Sequence, residues 1–203
     1  MNATLLLLAG WVLYFTLHSL LAADAAKALV ARRLPRLMPW YRLLYNAWAL
    51  LGLGALAWLQ WQAGRARLWP LHLLTAVPGA LLLLAGLAGL ALAFRAYDAF
   101  EFAGWPQPAA SPRPSSLQTS GFNRYVRHPL YTATLLLFAG YVLLLARPAD
   151  LGLFAVVLAY IRAGIWLEER KLIRQFGDIY RQYAARTPML IPRTGILRAR
   201  RPV

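Results

Sequence analysis

No cysteine occurs among the 203 residues, which excludes disulfides, thiolate metal sites and cysteine nucleophiles together. The three histidines, His18, His72 and His128, stand far apart, so the ligand spacing of a metal site is missing and no metal is expected. Neither GxGxxG nor GxxxxGK followed by Ser or Thr is present, leaving no glycine-rich loop to cradle phosphates. Acidic residues are scarce, seven against 22 Lys and Arg, for a net charge of +15. On a soluble domain that excess suggests nucleic acid, but no nucleic-acid-binding motif accompanies it, and nucleic acid is not expected as a partner. Charge of either sign is thin as well: 14% of the residues, against about 25% in soluble domains.

What fills the chain instead is hydrocarbon. Sixty per cent of the residues are hydrophobic and mean hydropathy is +0.49, which identifies an all-α integral membrane protein. A span needs about 20 mostly apolar residues, and five stretches qualify: 3–23, 43–61, 73–94, 130–146 and 151–167. No basic segment precedes the first, so it is not read as a cleaved signal peptide. Gly79, Gly86 and Gly89 give the third stretch a small-residue face for helix packing. His18 and Ser19, Tyr45 and Asn46 fall near span ends and are expected to hydrogen-bond between helices. Residues 95–120 are polar and proline-rich, a length of loop that suggests a lid or pocket wall. The chain is accordingly divided into an N-terminal membrane scaffold, 1–118, and a hairpin with its amphipathic continuation, 119–203.

Basic residues fix the expected orientation. Eighteen Lys and Arg fall on one side of the five stretches and three on the other, with Arg162 inside the last. Positive residues collect in the cytoplasm, so the C-terminus is expected inside and the N-terminus outside, with membrane lipids as partners of the basic loops. Arg outnumbers Lys, and Leu and Ala dominate, a composition that suggests a GC-rich bacterial genome and hence the inner membrane.

The polar groups concentrate at one end of the last two stretches. Arg127-His128-Pro129 precedes one, and Glu168-Glu169 ends the other. Only Arg147-Pro148-Ala149-Asp150 joins them, so an antiparallel hairpin returns both polar groups to the same, cytoplasmic, face. The residue before a proline is biased to extended geometry, which predicts a helix starting at or just after Pro129. Its first amides, with Arg127, suit an anionic group such as a carboxylate. Glu168 and Glu169 suit hydroxyl or ammonium donors, so the pocket matches an amphiphilic cofactor. Beyond Glu169, Leu172, Ile173, Phe176, Ile179, Tyr180 and Tyr183 form one helical stripe, read as a cytoplasmic amphipathic helix with Gly177 placed to bend it.

Taken together, Thr119-Ser120-Gly121-Phe122-Asn123-Arg124-Tyr125-Val126-Arg127-His128-Pro129-Leu130-Tyr131, then Glu168-Glu169, Leu172, Phe176-Gly177, Tyr180, Tyr183, Arg186 and Pro188, resembles the isoprenylcysteine carboxyl methyltransferase family in order and spacing. Ala133 departs from it, standing where glycine is usual. The resemblance implies S-adenosyl-L-methionine as cofactor, bound on the cytosolic side. By position it implies cofactor contacts at Leu117, Gln118, Gly121, Asn123, Arg127, His128 and Glu168, with Tyr131 lining the same pocket. A family arginine near the end of the last span touches the acceptor; Arg162 stands nearest, displaced by about a position. The methyl acceptor would be lipophilic or a small thiol, carboxyl or amine. An amine or thiol acceptor would need its proton taken by Glu169, a tyrosine or water. His18-Ser19 and Tyr41-Arg42-Leu43-Leu44-Tyr45-Asn46 are similar to bacterial membrane relatives of that family, methanethiol S-methyltransferases among them. Two other readings remain open at this point. One is an NADPH-dependent membrane reductase of the sterol-reductase type, which resembles the chain around the RHPxY segment; the other is a non-catalytic membrane accessory protein.

Overall fold

The computed structural model describes residues 3–64, 66–94 and 116–193. Among these, regular structure is entirely helical: α1 (Ala3–Ala22), α2 (Asp24–Arg33), α3 (Tyr41–Gln62), α4 (Leu73–Phe94), α5 (Pro129–Leu145), α6 (Pro148–Phe176) and α7 (Asp178–Arg186). Short 3-10 turns occupy Pro35–Trp40 and Gly121–Arg124. Four helices are long and apolar enough to cross a bilayer: α1, α3 with the turn before it, α4 and α6. Helix α5 is apolar but has 17 residues, or about 25 Å at 1.5 Å per residue. Most of the 95–120 segment expected as a lid lies outside the described residues.

The described residues pack as two compact units. The first joins α1, α2 and α3 to the stretch Leu145–Val156. Its interior is polar in an unexpected way. Trp11 Nε1 donates to Gln60 Oε1 at 3.0 Å, and Gln60 Nε2 donates to Asp150 Oδ1 at 2.9 Å. Arg147 completes the line, with Nε 2.5 Å from Asp150 Oδ2 and Nη2 2.9 Å from Oδ1. Asp150 is fully buried, and a buried carboxylate survives only when paired and hydrogen-bonded in this way. Arg147 and Asp150, expected only as a short turn between two apolar stretches, are thus a buried ion pair. Tyr14 donates to Ala49 O at 2.9 Å, while its ring fills the space over Gly52. His18 meets the Tyr45 hydroxyl at 3.0 Å, the interhelical bond its position suggested.

The second unit comprises α4, the stretch 116–144 and the chain from Val157 onward. Here backbones touch. A methyl group on Gly86 would lie 2.5 Å from the Leu137 amide nitrogen, and one on Gly89 would lie 2.9 Å from Ala133 Cβ. Gly79 faces Leu143 and Leu144, and Gly140 faces the Leu83 backbone. The small face anticipated on α4 is therefore the seam with α5, and the Ala133 methyl sits against Gly89. Helix α5 does begin at Pro129. The amphipathic stripe beyond Glu169 is not one helix: α6 runs on to Phe176, the chain turns at Gly177 with φ +56°, and α7 starts afresh. Left-handed φ suits glycine because no Cβ opposes it.

Candidate functional site

Helix α6 has 29 residues, about 44 Å, against a hydrocarbon core of about 30 Å. Counted from Pro148, the twentieth residue is Leu167, so Glu168 and Glu169 are the first residues past a bilayer's thickness.

Only two residues, Ala146 and Arg147, separate α5 from α6. In the second unit the far ends of both helices meet, as the sequence required. His128, 4% exposed, lies between the two acids, its Nε2 3.1 Å from Glu169 Oε1 and its Nδ1 3.6 Å from Glu168 Oε2. Arg127 Nε donates to the same Glu169 oxygen at 2.8 Å. Tyr131 stacks obliquely on His128, with ring centroids 5.6 Å apart. On its other side the Tyr131 hydroxyl lies over Gly164, where a methyl would be 3.5 Å away.

A strap formed by the chain after α7 holds this motif from behind. The Arg127 amide donates to Pro188 O at 2.9 Å and the His128 amide to Met189 O at 3.2 Å. Thr132 Oγ1 donates to Leu190 O at 2.9 Å, and Arg127 Nη1 donates to both Ala184 O and Thr187 O at 2.8 Å. Five bonds to carbonyls of residues 184–190 thus fix the pre-proline dipeptide and the first turn of α5. Arg127 is accordingly a scaffold residue as well as a cation. Its Nε and Nη1 make these bonds, and its Nη2 makes none to the described residues.

Upstream, Gly121 adopts φ +60° and opens the 3-10 turn Gly121–Arg124. Asn123 Nδ2 donates to Gln118 O at 3.0 Å, and the Tyr183 hydroxyl donates to Asn123 O at 2.6 Å. These bonds tie the turn to α7. Leu117 and Asn123 are half-buried, while Gln118 and Gly121 are exposed. Glu168 is the accessible acid, its side chain 46% exposed against 20% for Glu169. Arg162 is exposed on α6 and has no hydrogen-bond or ion-pair partner among the described residues. It lies seven residues before Glu169, two helical turns or about 10 Å along the same edge of the helix. The structure therefore joins Arg127, His128, Tyr131, Glu168 and Glu169 in one cluster and sets Arg162 apart, two turns earlier on α6.

Thr132 and the strap carbonyls carry no mark in the sequence, and Tyr180, which the motif and the apolar stripe both include, had no place at the cluster until the structure set it there. Tyr180 is 1% exposed, and its buried hydroxyl makes no hydrogen bond of normal length and angle among the described residues, although it lies under the influence of the Glu169 carboxylate. Burial pushes the phenols of Tyr180 and Tyr183 up from their ordinary values; at Tyr180 the Glu169 charge adds to the effect and the Arg127 charge opposes it. Among the described residues no group of His, Asp and Glu could hold a metal ion.

A family model described as Phospholipid methyltransferase matches residues 74–179. Methanethiol S-methyltransferase 1 of Bradyrhizobium diazoefficiens is 43% identical over 79 residues, covering 39% of this chain and 27% of that protein. Methanethiol S-methyltransferase of Crocosphaera subtropica is 38% identical over 82 residues, 40% of this chain and 31% of the relative. Protein-S-isoprenylcysteine O-methyltransferase of Schizosaccharomyces pombe is 38% identical over 77 residues, 37% and 33% of the two chains. The matched stretches span about a third of the length of these curated relatives. No solved structure matches.

Proposed function

Because the chain belongs to the phospholipid methyltransferase family, we propose that it is a membrane methyltransferase that uses S-adenosyl-L-methionine at the Arg127–His128–Glu168–Glu169 cluster. The observation that carries this reading is the pairing of cation and acid around one buried imidazole, at the point where α6 reaches the end of a bilayer's thickness. The residues present fit the cofactor's polar groups. Arg127 Nη2 would receive the carboxylate. The half-exposed Glu168 would accept from ribose hydroxyls or the ammonium group. His128 and Tyr131 would border the sulfonium end.

When bound, the cofactor supplies an activated methyl group. The protein's part is then mainly alignment, since an in-line displacement gains most from holding acceptor and methyl carbon close and collinear. The methyl–sulfur bond breaks as the bond to the acceptor forms, and the electron pair stays on sulfur. A carboxylate or thiolate acceptor needs no base. A neutral thiol or amine would pass its proton to water or to a site carboxylate. Glu169 Oε1 already accepts from Arg127 and His128, so Glu168 is the better placed of the two acids to take it.

Arg162 supports an acceptor that is anionic at the reacting end. An arginine without partners inside a span is costly unless something answers its charge, and a thiolate or carboxylate arriving from the hydrocarbon side would do so. The names of the relatives are compatible with such acceptors, the sulfur of methanethiol in one and an oxygen of an S-isoprenylcysteine in the other. In this reading α5 is a fifth span, the N-terminus is outside and the cluster is cytoplasmic, at a bacterial inner membrane. Residues 1–118 scaffold the hairpin. Calorimetry of detergent-purified protein tests the cofactor assignment: S-adenosylhomocysteine should bind and NADPH should not. Binding of NADPH alone would replace this reading with a reductase.

A further inference from the structure

One face of α6 carries positive charge that no acid of the described residues answers. Arg162, Trp166, Arg170 and Arg174 follow one another at four-residue steps, and all four are exposed. Four residues advance about 400° round a helix, so these side chains form one slowly turning ridge. Val157, Ile161 and Ile165 are buried on α6. Arg170 follows Ile161 by nine residues, about 900° of rotation, and so stands directly opposite that packed face. Arg127 has Glu169 at 2.8 Å, and even the exposed Arg181 has Asp178 at 2.6 Å. Arg170 and Arg174 form no ion pair with the described residues.

Side-chain direction and depth say what would answer them. Helical side chains lean towards the N-terminus of their helix, and Arg170 does so: its guanidinium carbon lies 4.1 Å from the centre of the Trp166 ring, one turn back. A guanidinium stacked on an aromatic face keeps its N–H donors in the plane, free at the edge. Arg174, about 6 Å further along the axis, leans back towards the same level. With α6 as a span, that level is where the helix, counted from Pro148, completes a bilayer's thickness. Tryptophan rings collect there beside the lipid headgroups. Exposed Ala159, Ala163 and Leu167 flank the ridge on the other side of Trp166 and beside it. Two cations about 6 Å apart next to an apolar strip match a phosphodiester with acyl chains attached; a free anion would leave the strip unused.

We propose that this ridge is a binding site for an acidic phospholipid, its phosphodiester held between Arg170 and Arg174 and its glycerol end beside Trp166. Two unanswered cations favour a headgroup of net negative charge over a zwitterionic one, whose ammonium they would repel. The lipid is bound and not consumed, because Glu168 of the candidate site lies about 160° away from Arg170 round the helix. The inference requires α6 to cross the bilayer and is independent of the cofactor reading above.

The test is a lipid titration of detergent-purified protein, read by native mass spectrometry as the dissociation constant of the first bound phospholipid. Wild type should hold phosphatidylglycerol at least about fivefold more tightly than phosphatidylcholine, and R170Q/R174Q should lose about 30-fold in phosphatidylglycerol affinity, at about fivefold for each interfacial cation. R32Q/R33Q removes the same charge from the exposed end of α2 and should leave that affinity within about twofold. R174Q alone, weaker by about fivefold, serves if the double variant does not purify. Unchanged affinity in the α6 variants overturns the proposal. So does an equal loss in R32Q/R33Q, which would mean diffuse attraction by a basic protein, and so does a wild type that holds both lipids equally. Displacement of phosphatidylglycerol by an equal concentration of inorganic phosphate overturns it too, since the ridge would then be an anion site without a lipid.

Discussion

At the scale of single residues, His128 and Glu168 distinguish a binding site from a structural latch. A latch would fail by unfolding, whereas a site fails by losing its ligand. H128A and E168A should therefore insert and purify normally and bind S-adenosylhomocysteine at least about tenfold more weakly, the usual effect of removing a charge-assisted hydrogen bond. Unchanged affinity in both would remove these residues from the site. Arg162 separates the other way, since it touches none of the cluster. R162A should raise the KM for acceptor and leave cofactor affinity within about twofold, as expected when one interaction made equally in ground and transition states is deleted. The buried phenols supply a pH signature. Their folded-state pKa values are raised, so their contribution is complete below the unfolded value of about 10 and is lost as pH rises through it towards the folded value. Melting of the wild type should fall more steeply above about pH 10 than melting of Y180F.

Elements explain which parts of this were legible beforehand. The start of α5 at Pro129 and the meeting of His128 with Glu168-Glu169 could be read from the sequence, because a pre-proline bias, two apolar runs and a short connection leave little choice. The glycine face of α4 was legible for the same reason: Gly79, Gly86 and Gly89 have no other use in an apolar helix. The strap was not. Its bonds run from Arg127, His128 and Thr132 to carbonyl oxygens, and a carbonyl carries no mark of residue type. The Arg186-Thr187-Pro188 pattern marked the place without disclosing that its neighbouring backbone fastens the RHP motif. The Trp11–Gln60–Asp150–Arg147 line was equally hidden, since nothing in a turn sequence says that its charges are turned inward. Two glycines test the seam directly. G86V should destabilise the protein by about 1–3 kcal/mol or more, the cost of overpacking a close contact, as read by thermal melting in detergent. G54A, where an added methyl meets nothing within 4 Å, should be neutral or stabilising by up to about 1 kcal/mol from helix propensity.

For the whole molecule, the helices able to cross a bilayer and the family match make this an integral membrane protein of a methyltransferase family. The family match, residues 74–179, begins near the start of α4 and ends just after Gly177. It therefore takes in the glycine seam, the RHP motif and the Glu168-Glu169 pair, and leaves out α1, α2 and α3. The most direct measurement of the central claim uses S-adenosylmethionine carrying a labelled methyl group, incubated with native membranes containing wild type or H128A. The account requires label in an acceptor extracted from wild-type membranes and its loss with H128A at equal protein levels. Equal labelling of both, or none in either while S-adenosylhomocysteine still binds, would contradict it.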